Sequence, residues 1–146
     1  MTSESTPDPV FVREFLEALH PLLRRMRAER SLSPGKVGIL HHLSQHGRAT
    51  SKELAAAIRV SPQAISLATP ELEELGFIER VPDSDDRRKT WIVLAEAGRA
   101  KLEEEIRAGE GWIGQAITEQ LTSDERRILL AAIPVLKKIG VEAPRA

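Results

Sequence analysis

Residues 61–94 read SPQAISLATPELEELGFIERVPDSDDRRKTWIVL, and the hydrophobic period changes once within them, from helical to strand-like. Ser61-Pro62 offers a hydroxyl N-cap followed by proline at the first helical position, where its missing N–H is harmless. On a helical wheel of 61–75, Ile65, Ala68, Leu72 and Leu75 share one side, while Gln63, Ser66, Leu67 and Pro70 face away. Pro70 lies inside this helix, where a lost hydrogen bond and a ring clash predict a bend. Beyond it, 77–81 and 90–94 are rich in β-branched and aromatic residues. They flank a loop, 83–89, that packs Asp83, Asp85, Asp86, Arg87, Arg88 and Lys89 together, so the pair reads as a hairpin with a charged tip.

Upstream, Ser33-Pro34 repeats the hydroxyl-proline start, and Thr50 with Glu53 forms a capping-box pattern. Together these mark short helices at about 33–45, 51–58 and 61–75, and Arg59-Val60 leaves only a tight turn between the last two. That is helix-turn-helix spacing. Before them, Phe11, Phe15, Leu19, Leu22, Leu23 and Met26 predict an amphipathic helix over 9–30 despite Pro21. After the hairpin, Leu102, Ile106, Ile113, Ile117 and Leu121 keep a helical spacing; Thr122 with Glu125 marks another start, and Leu129, Ile133 and Leu136 share one face of 123–139. The predicted fold is mainly α with a small β-hairpin wing: a winged helix-turn-helix core flanked by long helices.

A chain of 146 residues, 41% hydrophobic and 29% charged, suits one domain over 1–146. No apolar run is long enough to span a membrane, and the polar start MTSESTPDP lacks the basic and apolar regions of a signal peptide, so a cytoplasmic location is expected. Zero cysteines exclude disulfides, thiolate metal ligands and thiol redox sensing. The net charge of −1 conceals segregation. Residues 21–52 hold Arg24, Arg25, Arg27, Arg30, Lys36, Arg48 and Lys52 against Glu29 alone, whereas 95–125 hold eight acids against three bases. Screening confines each charge to about 10 Å, so local fields govern phosphate contacts and a near-neutral total is compatible with DNA binding.

The outward face of 61–75 is small and hydrogen-bonding near its start, which suits a helix entering a major groove. There Gln63 can pair with adenine, Ser66 with several acceptors, and Leu67 can touch a thymine methyl. Ser61 would combine capping with a backbone contact. A hairpin that follows at once is a wing, whose tip can reach the adjacent minor groove, where arginine is attracted by the negative potential.

With these residues in register, 33–98 resemble the MarR family of bacterial transcriptional regulators. That family carries Asp-x-Arg at the wing tip and then an apolar strand ending in Leu-Thr-x-x-Gly; here the residues are Asp86-Arg87-Arg88, the strand to Leu94, and Ala95-Glu96-Ala97-Gly98. The resemblance implies that Arg88 is the minor-groove residue, that Asp86 holds its guanidinium, and that Arg87 and Lys89 add phosphate contacts. Ser61, Pro62, Gln63, Ser66 and Leu67 then form the reading surface within a DNA-binding region at 33–94, and 9–30 with 96–139 form a homodimer. It further implies a repressor of a pseudo-palindromic operator in double-stranded DNA, controlled by a small aromatic acid bound near His20, Arg24, Arg27 and Trp112. Two departures stand out. Ala95 replaces a capping threonine, at a cost of about 1 kcal/mol, and the helix at 61–75 has no Lys or Arg.

Other patterns point elsewhere less well. Gly109, Gly111 and Gly114 match the dinucleotide-binding spacing G-x-G-x-x-G, but a helical pattern rather than a strand precedes them. His42 and His46, four apart on a helix, could face one metal, with His20 or His41 assisting, which leaves a metal-sensing regulator as an alternative. Neither H-E-x-x-H nor G-x-S-x-G occurs, so no enzyme, cofactor or resident metal is expected. A helical protein-interaction module whose winged helix has lost DNA affinity is the other alternative, raised by the helix without Lys or Arg.

Overall fold

Capping residues set the element boundaries in the computed structural model, which describes residues 6–140. The ends of the predicted 1–146 domain, including its first five residues, lie outside the described residues. Helix α1 is Pro9–Ala28, started by Asp8, whose carboxylate accepts the Val10 N–H at 2.9 Å. Helix α2 is Pro34–His46, capped by Ser33, and α3 is Ser51–Ile58, whose capping box is complete: Thr50 Oγ1 accepts from Glu53 N at 3.2 Å and Glu53 Oε2 accepts from Thr50 N at 3.1 Å. Helix α4 is Pro62–Glu74, capped by Ser61. The turn before it places Arg59 in the left-handed region at φ +56°, an uncommon conformation for a side chain-bearing residue. Strands β2 (Ile78–Pro82) and β3 (Thr90–Leu94) form the expected hairpin, followed by α5 (Glu96–Gln120) and α6 (Ser123–Gly140). Thr122 Oγ1 accepts the Glu125 N–H at 3.2 Å, the forward half of its predicted box.

The hairpin acquires a third strand that the sequence pattern does not announce. Arg48–Ala49, β1, pairs antiparallel with β3, placing Arg48 opposite Val93 and Ala49 opposite Ile92. The sheet order is β1-β3-β2, so β3 is central. Gly47, at φ +82°, lets α2 end and the chain turn directly into β1.

The chain forms two compact units, one up to Glu110 and one from Gly111. In the first, Val37, Ile39, Leu40 and Leu43 of α2 pack with Ala49, Leu54, Ala55, Ile65, Leu72, Ile78, Ile92 and Leu102. Ile65 and Leu72 therefore face the core as predicted, and Ala68 packs against it, but Leu75 does not: it is 54% exposed. It is the C-cap of α4, directly before Gly76 at φ +77°, and at 100° per residue it lies about 80° round the helix from Ile65, at the edge of the buried stripe with no further turn to cover it. Buried Thr69 takes a place on that face instead. Pro70 leaves α4 continuous to Glu74, although its missing N–H deprives the Ser66 carbonyl of its helical donor.

Helix α5 begins against the hairpin. Ala95 N donates to the Phe77 carbonyl at 3.0 Å, and a Cβ on Gly98 would sit 2.0 Å from that same oxygen, so only glycine fits. At its tenth residue the helix buries a carboxylate. Glu105 Oε1 accepts Ser31 N at 3.1 Å and Ser31 Oγ at 2.5 Å, Oε2 accepts Leu32 N at 3.3 Å, and Lys101 Nζ lies 3.4 Å away. Burial pushes this carboxyl's pKa up, but the Ser31 hydroxyl, the two backbone donors and Lys101 together outweigh it and hold the group below its ordinary value. The link between α1 and α2 is thereby tied to α5. Gly109 is buried with Met26 and Arg30 alongside, whereas Gly111 and Gly114 have open space beside them; all three lie inside α5, with no preceding strand to make a phosphate loop.

Candidate nucleic-acid interface

Ser61 Oγ accepts the Ala64 N–H at 3.1 Å, which fixes where α4 starts. The first turns then present Ser61, Pro62, Gln63, Ser66 and Leu67 to solvent, and Leu67 is 71% exposed. Helix α3 packs on α4 through the short turn at Arg59 and Val60, and α4 packs on β2. The reading surface predicted on α4 is therefore on the open side of the helix.

Asp83 organises the wing, which the sequence reading did not single out. Its N–H donates to the Lys89 carbonyl at 2.9 Å, closing the loop at its neck. Its carboxylate accepts the Asp86 N–H at 3.2 Å and the Trp91 indole N–H at 3.3 Å. Trp91 is the platform beneath. The Arg48 guanidinium lies 3.9 Å and the Lys89 ammonium 4.3 Å from its ring centroid, cation–π contacts that couple β1 to the wing.

Asp86 acts differently from the expectation. Its carboxylate accepts the Arg88 backbone N–H at 3.0 Å, not the guanidinium, so it shapes the turn that displays Arg88. A two-residue separation in a tight turn favours this local bond, the usual behaviour of an Asx turn. Arg87 and Arg88 are exposed, while Lys89 is partly covered by its stacking on Trp91. At the wing's base an open polar cleft is lined by Thr50, Ser51 and Lys52 from the start of α3 and by Arg80, Asp86, Arg88, Lys89 and Thr90. Four cations against one carboxylate give it a positive field suited to phosphate. Lys52 and Arg80 of this lining were not singled out in the sequence: Arg80 lies within the wing strand β2 but outside the charged loop, and only the folded chain brings Lys52 of α3 beside it.

The residues predicted for an effector fall in both units. His20, Arg24 and Arg27 are exposed on α1, and His20 lines an open groove with Val12, Arg13, Leu16 and Glu17; Arg24 and Arg27 are not in its lining. Trp112 is partly buried in the second unit. The rings of His42 and His46 stack with centroids 4.2 Å apart. Burial, then the neighbouring His46, lowers the His42 pKa, against an opposing pull from Glu53. Among the described residues no group of three or more His, Cys, Asp or Glu side chains is arranged to hold a metal, and no helix is long and apolar enough to cross a membrane.

A short helix pair that exposes a polar N-terminal face, directly followed by a basic hairpin of β2 and β3 supported by β1, defines a winged helix-turn-helix DNA-binding protein. The MarR family model matches residues 32–90. YwhA, an HTH-type transcriptional regulator of Bacillus subtilis, is 38% identical over 98 residues, covering 67% of this chain and 70% of YwhA. MdtR, an HTH-type transcriptional repressor of the same organism, is 26% identical over 132 residues, covering 90% of this chain and 83% of MdtR. The crystal structure of a proposed transcriptional regulator from Pseudomonas aeruginosa is similar with a TM-score of 0.75 at 28% identity, over 91% of this chain and 95% of that one. The chain belongs to the MarR family and is a DNA-binding transcriptional regulator.

Proposed function

We propose that this regulator is a homodimeric, ligand-responsive cytoplasmic repressor, acting by binding rather than catalysis and reading a pseudo-palindromic operator with one recognition helix and one wing per half-site. The observation that carries the reading is the joint display of two unlike surfaces in one unit: the uncharged start of α4, with Gln63, Ser66 and Leu67 exposed, and the wing tip with Arg87, Arg88 and Lys89. Gln63 and Ser66 read base edges, Leu67 meets a thymine methyl, Ser61 and Pro62 lie against the backbone, and Arg88 enters the minor groove. Asp86 sets the loop for that contact, and Arg87 and Lys89 meet phosphates. Residues 33–94 are the DNA-reading part, and helices within 9–30 and 96–139 join two copies.

Dimerisation is supported by apolar surface that a single chain leaves open. Neither α1 nor α6 contains a buried residue. Helix α1 exposes Phe11 at 64%, and α6 exposes Ile128 at 70% and Ile139 at 68%, together with Leu129, Ile133 and Leu136. Stretches of this kind on a polar-rimmed protein mark an interface, and a two-fold pair would set two recognition helices about one helical turn of DNA apart. For the effector, a small aromatic acid, the support is chemical: His20, Arg24 and Arg27, exposed on α1, can pair with a carboxylate.

Selection of bound sequences from random duplex DNA by the full chain tests the reading. A pseudo-palindrome should emerge, with affinity falling steeply as salt rises. Failure to enrich any sequence overturns it, as does a sedimenting monomer at micromolar concentration.

A further inference from the structure

We propose that Arg80 is a positioning residue that locks the recognition helix to the wing, so that both DNA-reading elements are presented at one fixed separation. This inference rests on the reading of α4 and the wing as those elements.

The geometry is a fork laid across one helical turn. Arg80 stands on β2, opposite Ile92 of β3. Its Nη2 donates to Thr69 Oγ1 at 3.1 Å, and its Nε lies 3.4 Å from Glu73 Oε2. Thr69 and Glu73 are four apart on α4 and share a face, so the planar guanidinium can reach both, which a lysine could do only loosely. The two contacts are unequal. The Arg80 and Glu73 side chains are 42% and 46% exposed, so that ion pair contributes little. Thr69 is only 2% exposed, and its hydroxyl donates to the Ile65 carbonyl at 2.9 Å, which orients a lone pair toward Arg80. A charged bond to a hydroxyl shielded from water is the stronger tie.

The tie reinforces a turn. Between α4 and β2 the chain passes through Gly76 at φ +77°, where the backbone has no side chain to restrict it. The Gly76 N–H bond to the Glu73 carbonyl and the Phe77 N–H bond to the Leu72 carbonyl, both 3.0 Å, close the turn across the glycine, and Arg80 adds a side-chain tie further along β2. Arg80 also lines the basic cleft beside Lys52, Arg88 and Lys89, so a direct phosphate contact is the competing role.

Thr69→Val removes the acceptor with little change of shape, Thr69→Ser keeps it, and Arg80→Met keeps the apolar stem. In the DNA-free full chain, Thr69→Val and Arg80→Met should each speed amide exchange in β2 by about tenfold or more while α2 and α3 stay protected, and Thr69→Ser should restore the parent rate. Arg80 is half exposed, so Arg80→Met decides the matter if Thr69→Val fails to fold. On a selected duplex, each variant should bind about tenfold more weakly, the double variant no worse than either, with an unchanged salt slope. Unchanged β2 exchange in both variants overturns the lock. So does a salt slope reduced by about one in Arg80→Met beside full affinity in Thr69→Val, which would make Arg80 a phosphate ligand. A parent chain that binds no duplex would defeat the proposed function, while the exchange measurement would still decide the lock.

Discussion

Replacing Glu105 tests whether the tie between the α1–α2 link and α5 stabilises the first unit. The carboxylate is 3% exposed and accepts two backbone N–H bonds and the Ser31 hydroxyl, with Lys101 at 3.4 Å. Hydrogen bonds to a charged group contribute about 1.5–3 kcal/mol each. Ser31 itself is exposed, so water can reach some of the abandoned donors and the losses do not sum. Glu105→Ala should therefore cost about 2–4 kcal/mol, and Glu105→Gln, which keeps one acceptor oxygen, about 1–2 kcal/mol. Because the folded pKa is lowered, the unfolded chain binds the extra proton over the window between the two values, and stability rises with pH there. The advantage of the parent over Glu105→Gln is thus complete above the unfolded value, about 4.3, and shrinks as pH falls through the folded one. Urea unfolding at matched protein concentration, at neutral pH and across the acid range, measures both the gap and its trend. A gap at neutral pH below about 0.5 kcal/mol for Glu105→Ala, or a Gln gap that does not narrow in acid, would refute this reasoning.

Gly98→Ala places a methyl 2.0 Å from the Phe77 carbonyl oxygen, a backbone atom that can move only with the hairpin; we expect a loss of about 3 kcal/mol or more, read by thermal denaturation. Asp83→Ala should release the Trp91 indole and the Asp86 N–H together, weakening DNA binding about tenfold and shifting Trp91 emission in a Trp112→Phe background, where an unchanged spectrum would count against the bond. Arg88→Ala should leave the thermal midpoint within a degree or two while lowering operator affinity by about 1–3 kcal/mol, because an exposed loop tip contributes little to packing; equal affinities in a binding titration would remove Arg88 from the groove.

What the sequence discloses here are the features written locally. Ser33, Thr50 and Ser61 each cap the helix they were expected to start, because a cap is a bond between residues two or three apart. The hairpin is equally legible from its β-branched runs. Contacts between distant segments are not. The Ser31 and Glu105 partners are 74 positions apart, and in the sequence Glu105 is one more acid in an acidic helix. Two-residue β1 is too short to show a period and exists only because β3 offers an edge. Asp83 and Asp86 look alike in a crowded loop, and only the folded turn shows which one reaches Trp91. Leu75 misled because the wheel groups it with the core stripe, whereas as the C-cap it sits at the stripe's edge with no further helical turn to cover it.

The strand order β1-β3-β2 has a consequence for how the chain tolerates being cut. Proteolytic cleavage after Arg87 or Arg88 would divide the exposed wing tip into two ends without separating the pieces. The amino-terminal piece keeps β1 and β2, the carboxy-terminal piece keeps β3, and β3 stays clasped between them by two ladders and the buried Ile78, Ile92 and Ala49. The fold therefore offers a natural seam for a split protein, whose halves should reassemble by inserting the missing middle strand between β1 and β2.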